Sequence, residues 1–310
     1  MIMNRNLTPP NLEEAEQLLN DLLEEVISKE ANLAGGDAQD GARGKTAIQR
    51  LKETTVIFGD PRSRLIPLTA QGFAAQGIEL DYEVCQLMHQ FDFYSMVVSV
   101  DPRPQPSVEI SGLECQLIFG SQGNQAPIVH RIIPGAKWQP ILNIGVEMNL
   151  GLDANLDVSA GVDAAELAKV ERLPDYNRLK ANVGSKDNLK LFTVLDGLNY
   201  QLGKFDIIAQ GDDNSECYWR IEKPKLQDQA TVKFGIIFKV PKGWDSIELT
   251  GQVWIEPEMD WLNGELSHVI KALPSHLKDI FGSKARAAKQ FAVGQKEAWI
   301  GDNKIMLPHG

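Results

Sequence analysis

From Leu12 to Ile27 the apolar residues of this chain recur at three-four spacing. From Ile57 to Glu256 they fall on alternate positions or in short unbroken runs, and after Glu258 the three-four spacing returns. The first pattern predicts an amphipathic helix capped by Asn11, with Glu14 in its first turn and a stripe of Leu12, Ala15, Leu19, Leu22 and Val26 widened by Leu18, Leu23 and Ile27. Its other side carries Glu13, Glu14, Glu16, Asp21, Glu24, Glu25 and Glu30 against Lys29 alone. Residues 1–33 therefore read as an acidic amphipathic helix. Residues 34–55 read as a Gly- and Asp-rich linker, Ala34 to Gly44, with a short helix starting at Thr46–Leu51. A tethered stripe has to be covered by its own domain, a sister subunit or another protein, which makes Leu12, Leu19, Leu22 and Val26 candidate partner-binding residues.

The middle pattern predicts an antiparallel β body over residues 56–257. Candidate strands are Ile78–Val84, Tyr94–Val100, Val108–Phe119, Ile128–Ile133, Trp138–Leu152, Leu156–Val162, Leu189–Leu195, Asn199–Ile208, Cys217–Ile221, Thr231–Val240 and Ile247–Ile255, with a helical patch at Ala164–Leu173. Prolines fall between them, where no ladder donor is needed, and the slip in alternation at Ser111–Gly112 predicts a bulge. So many one-sided strands need partners for their apolar faces, and two stacked sheets supply them. The fold class expected is mainly β (α+β): an antiparallel two-sheet β-sandwich-like body, divisible near 163–187 into two sub-sandwiches, with an N-terminal acidic helix and C-terminal helices over 258–310. In that last segment one stripe runs from Trp261 to Leu273, ended by Pro274, and a second, basic helix is predicted over Leu277–Val293.

Length and composition change this picture little. The 310 residues are 43% apolar and 24% charged, an ordinary globular balance that argues against wholesale disorder. Charge adds more. A net −11 disfavours nucleic acid as a partner, because phosphate binding calls for a basic face. Residues 1–55 hold six Lys or Arg against ten Asp or Glu, whereas residues 261–310 hold seven against four, so the two terminal regions have opposite sign and could meet. Cys85, Cys115 and Cys217 sit in apolar segments and read as reduced, buried thiols. With no secretion signature at Met1–Asn6 and no long apolar run, a cytoplasmic address is expected.

Candidate chemistry is thin. Val146–Val162 alternates without a break for seventeen residues, which fits a hairpin, a long bent strand or, on the sharper reading, a membrane-inserting β-hairpin. On its polar face Asp153, Asn155, Asp157 and Ser159 mimic a calcium loop, but Val158 stands where an EF-hand needs Gly, so a loose Ca²⁺ site is set against a solvated acidic face. No other cofactor is expected. Gly41–Thr46 lacks the first Gly of a P-loop, and His89 with Cys85 would form a dyad only on a helix, which the alternation before them argues against. Asp212–Glu216 reads as a turn. Period two puts Trp219 in the core and turns Tyr218 and Arg220 outward, which adds them to the candidate partner-binding residues.

Since no catalytic signature fits, the reading is a non-enzymatic binding or assembly protein, an adaptor or self-assembling subunit whose partner is another protein or a second copy. The alternatives are a membrane-acting or pore-forming β-protein that uses 146–162, and a carbohydrate-binding protein or hydrolase with carboxylates near 153–163.

Overall fold

The computed structural model describes residues 9–30, 36–75, 82–133, 206–222 and 231–308. The strands expected at Trp138–Leu152, Leu156–Val162 and Leu189–Leu195, most of Asn199–Ile208, and the 164–173 patch lie outside those residues.

Two helices open the chain, α1 (Leu12–Glu30) and α2 (Gly36–Glu53). Asn11 caps α1 as expected, its Oδ1 accepting from the backbone N–H of Glu13 at 3.2 Å. The segment read as a tether is helical instead: α2 starts at Gly36, well before Thr46. Local propensity loses here to packing, since Ile48 and Leu51 are buried with Leu19, Leu22 and Val26 of α1 in the main core. A side chain at Gly44 would come within 3.2 Å of Glu265 O and Leu266 Cδ2, so glycine is what lets α2 approach the C-terminal helices.

After α2 come β1 (Thr55–Phe58), a 3₁₀ turn at Pro61–Arg64, β2 (Leu65–Leu68), and the short helices α3 (Ala70–Ala75) and α4 (Tyr82–Gln90). The strands β3 (Phe91–Arg103), β4 (Ile110–Phe119), β5 (Ile128–Ile133), β6 (Asp206–Gln210), β7 (Glu216–Glu222), β8 (Val232–Pro241), β9 (Ser246–Ile247) and β10 (Leu249–Pro257) follow. The chain then forms α5 (Met259–Glu265), α6 (Ser275–Ile280), α7 (Lys284–Gln290), β11 (Val293–Trp299) and β12 (Ile305–Met306). Of the strand expected at Ile78–Val84, the first four residues lie outside the described residues and the last three open α4 instead, because Val84, Leu87, Met88 and Phe91 repeat at helical spacing and Leu87, Met88 and Phe91 pack on the core. The helix expected over Leu277–Val293 is broken between Ile280 and Lys284. The C-terminal region is not wholly helical either, since β11 returns to the body as a strand.

The strands form two antiparallel sheets. The first has the order β1-β3-β8-β5, with β2 also on β3; the second has the order β11-β10-β4-β7-β6. The architecture is therefore an α+β, mostly β body of two main sheets. In the first sheet Tyr94, Met96, Val98 and Val100 pair with Phe238, Ile236, Phe234 and Val232, all buried. Facing them are Leu113, Cys115 and Leu117 of β4, Trp219 and Ile221 of β7, and Val253 and Ile255 of β10. The sheets meet through Trp219 on Phe234, with ring centroids 5.0 Å apart, and Phe119 on Phe238 at 4.9 Å. Each such fully buried side chain contributes about 1.5–3 kcal/mol.

Both flanks of the sandwich are nearly closed. At one, Phe58 of β1 stacks on Trp299 of β11, and its N–H donates to Gln295 Oε1 at 3.0 Å. At the other, Val129 exchanges backbone hydrogen bonds of 2.8 Å with Asp213 and Asn214 in the turn before β7. The bulge expected at Ser111–Gly112 is present: Glu256 opposes Gly112, Pro257 opposes Ile110, and Ser111 is the extra residue.

Candidate functional site

The outward face of the second sheet concentrates the polar chemistry of the described residues. Register aligns four rows across it: Glu216, Ile118, Thr250 and Ala298; then Gln210, Tyr218, Gln116, Gln252 and Lys296; then Ile208, Arg220, Glu114, Trp254 and Gly294; and last Asp206, Glu222, Gly112 and Glu256. Trp219 points into the core and Tyr218 and Arg220 point away from it, as the alternation predicts. Away from the core is not into water, however. Tyr218 and Trp254 are buried under Leu12 and Ala292, and Gln252 Nε2 donates to Pro10 O at 3.1 Å, so the start of α1 lies across the middle rows.

At the centre sits Arg220. Its Nη1 and Nη2 donate to Oε1 and Oε2 of Glu256 at 3.2 and 2.9 Å, a forked pair. Its Nε donates to Glu222 Oε1 at 2.6 Å, Nη1 also contacts Glu114 Oε1, and the Tyr218 hydroxyl donates to Glu114 Oε2. Glu114 and Glu256 are almost wholly buried, at 1% and 3% exposure. Gly112 makes this reach feasible: it stands between Glu222 and Glu256 in the register, and a Cβ there would come within 3.3 Å of Glu256 Oε2. Burial opposes the charge on Arg220, but Glu256 and Glu222 outweigh it and hold the guanidinium above its ordinary pKa. Burial, then the charges of Glu256 and Glu222, push the Tyr218 hydroxyl far up, so it stays a donor. The network ties β4, β7 and β10 together in a setting where a charge without its partner would be costly.

Two clefts flank the start of α1. The larger, about 520 Å³, lies between α1 and α7 and includes Pro9, Pro10, Glu14, Leu18, Ile280, Arg286 and Lys289 in its lining. The second, about 380 Å³, runs on the other side past Leu12, Glu16, Lys52, Gly294 and Lys296. The acidic N-terminal helix and the basic C-terminal region thus do meet, across these clefts.

Of the expected partner-binding residues, the fold brings Leu12, Tyr218 and Arg220 together. Leu19, Leu22 and Val26 are instead sealed in the main core, at 2%, 0% and 0% exposure, with Ile48 and Leu51 among their companions. The stripe is covered by the chain's own domain. Sequence reasoning missed Glu114, Glu256, Arg286 and Lys289; Glu114 and Glu256 each interrupt an apolar run on the outward phase of a strand, which was the available signal. It also set aside the Cys85–His89 pair as non-helical, yet α4 places them one turn apart. No disulfide links Cys85, Cys115 or Cys217; burial pushes the thiols of Cys115 and Cys217 well up. Of Asp212–Glu216, residues 212–215 form the expected turn and Glu216 opens β7, with Asp213 at φ 62° and Asn214 Nδ2 donating to Asp212 O at 3.1 Å. Among the described residues no group of three His, Cys, Asp or Glu could hold a metal ion, and no helix is long and apolar enough to cross a membrane. The alternating segment 146–162 and the oxygen set at 153–163 lie outside the described residues.

No protein-family model matches the chain, and no curated protein matches it.

Proposed function

We propose that this is a non-enzymatic assembly protein that self-associates through the uncovered half of its second sheet. The observation that carries this is the outer row Glu216, Ile118, Thr250, Ala298, which the start of α1 does not reach. Ile118 is 40% exposed, Ala298 is exposed, and Ile300, two residues further along the chain, is 52% exposed. Ile118 on the sheet face, Ala298 in the same row and Ile300 just past the end of β11 supply the apolar part of the proposed contact.

The charges favour a second copy as the occupant. One end of the row is acidic, with Glu216 and the turn residues Asp212 and Asp213 exposed; the other end borders the exposed Lys296 of the next row. A two-fold axis through the apolar middle sets the acidic end of one copy against the basic end of the other, the self-complementarity of an isologous dimer. Arg220 and its carboxylates then serve as a brace that ties β4, β7 and β10 together beneath the contact, and not as a reaction centre.

Light scattering on the full chain tests this. A dimer mass that falls to that of a monomer in Ile118→Arg, with the far-ultraviolet circular dichroism unchanged, supports the reading. A monomer mass at every concentration up to the solubility limit, or an Ile118→Arg variant that still dimerises, ends it.

A further inference from the structure

The larger cleft lies between α1, α6 and α7, includes no residue of the outer row, and stands independently of self-association. Its floor is apolar: Leu18 of α1 faces Ile280 at the end of α6, and Pro9 and Pro10 form a stiff rim. Its α7 wall presents Arg286 and Lys289, and neither makes a hydrogen bond or ion pair among the described residues. Glu14 on the α1 side is the carboxylate that lines the cleft, so the walls carry an excess of positive charge. Lys289 is partly withdrawn from water: burial lowers its pKa, with Glu256 behind it offsetting this and Arg220 adding to it. An exposed Arg286 and a half-buried Lys289 beside apolar side chains suit a ligand that brings both a negative head and an apolar body. The volume, about 520 Å³, lies inside the usual span of small-molecule sites.

We propose that the cleft between α1 and α7 binds a small amphipathic carboxylate, its head between Arg286 and Lys289 and its chain along Leu18, Ile280 and Pro10. The planar guanidinium of Arg286 can take a carboxylate through two parallel hydrogen bonds, while Lys289 adds a compact charge. Glu14 repels a second anion and limits the site to one head group.

Isothermal titration of the full chain with decanoate, with decanol as the uncharged analogue, tests this. Saturable 1:1 binding of decanoate is expected, with decanol at least about tenfold weaker, as loss of charge-assisted hydrogen bonds dictates. The variant Arg286→Gln/Lys289→Gln should lose about 10- to 100-fold in decanoate affinity. Lys304→Gln, remote from the cleft, should bind as the parent does. Both residues are surface-facing, so the double variant should keep its circular dichroism spectrum and its unfolding midpoint without ligand. Absence of saturable decanoate binding, equal affinity for decanol, or undiminished affinity in the double variant overturns the proposal. Because Leu18→Asp should abolish binding of both probes, decanol binding that survives it would also place the apolar chain elsewhere and overturn it.

Discussion

Removing Arg220 is the sharpest test of how the second sheet is held. Arg220→Met keeps most of the side-chain volume but strands two carboxylates, Glu114 at 1% and Glu256 at 3% exposure, that share this one guanidinium. Breaking a buried pair from one side costs about 3–5 kcal/mol. The Arg220 side chain is 21% exposed and Glu222 50% exposed, so water softens part of the loss and the lower end, about 3 kcal/mol, is expected. The companion variant Arg220→Met/Glu114→Gln/Glu256→Gln removes all three charges and leaves an acceptor for the Tyr218 hydroxyl. It should recover most of the deficit, since exchanging an entire buried ionic group is close to neutral. Urea unfolding followed by tryptophan fluorescence measures both, because Trp219 and Trp254 are buried on β7 and β10. A deficit below about 1 kcal/mol, or a triple variant no better than the single one, would refute the reasoning.

Two further outcomes follow from burial. Leu22 is fully buried in the main core, so Leu22→Ala should lower stability by about 2–5 kcal/mol in denaturant titration; a loss within about 0.5 kcal/mol of zero would mean that α1 is not docked in solution. His130 is the extra residue of the β5 bulge, set edge-on against Phe93, and burial first, then Arg131 and Lys239, lower its pKa below 6.5. The folded state binds that proton less readily than the unfolded chain does, so stability is intact above 6.5 and declines as the pH falls below it; His130→Gln should flatten the midpoint-versus-pH curve between 6.5 and 5, and an unchanged slope would exclude this residue as the cause.

The sandwich was readable where a strand had one apolar face, as in Tyr94–Val100, Val108–Phe119, Cys217–Ile221 and Thr231–Val240, and even the bulge at Gly112 showed as a broken alternation. What escaped was decided by contacts distant in sequence. Gly36–Gly44 has poor intrinsic helicity, and only the fit of α2 onto α1 and α5, where Arg43 forms an ion pair with Glu265, makes it helical. The alternation of Ile78 to Val84 masked the helical repeat that begins at Val84. β11, with the polar run Gly294–Glu297, lacks the β-branched density of a strand; it exists because the edge of β10 is there to receive it. Tyr218 and Arg220 were assigned to the right face, but nothing in their spacing reveals that Glu114 and Glu256, 106 and 36 residues away, lie beside them.

The same geometry explains why the clefts and the open row occur where they do. A second sheet whose outward phase carries Tyr218, Trp254, Glu114 and Glu256 cannot be left bare, so part of it must be roofed. The roof available is the start of α1, and its contact with the outward face is confined to a few side chains. Along α1 that contact is Leu12 on Trp254 and Tyr218; on one side the smaller cleft opens between α1 and β11, and on the other the larger one opens between α1 and the helices α6 and α7. Because α1 is acidic and α7 basic, the larger gap is polar-walled and apolar-floored without any further design. A ligand held there would touch both helices at once and would be absent from the unfolded chain. Its binding would add RT ln(1 + [L]/Kd) to the stability of the docked roof. Decanoate should therefore raise the unfolding midpoint of the parent chain and leave that of Arg286→Gln/Lys289→Gln unmoved.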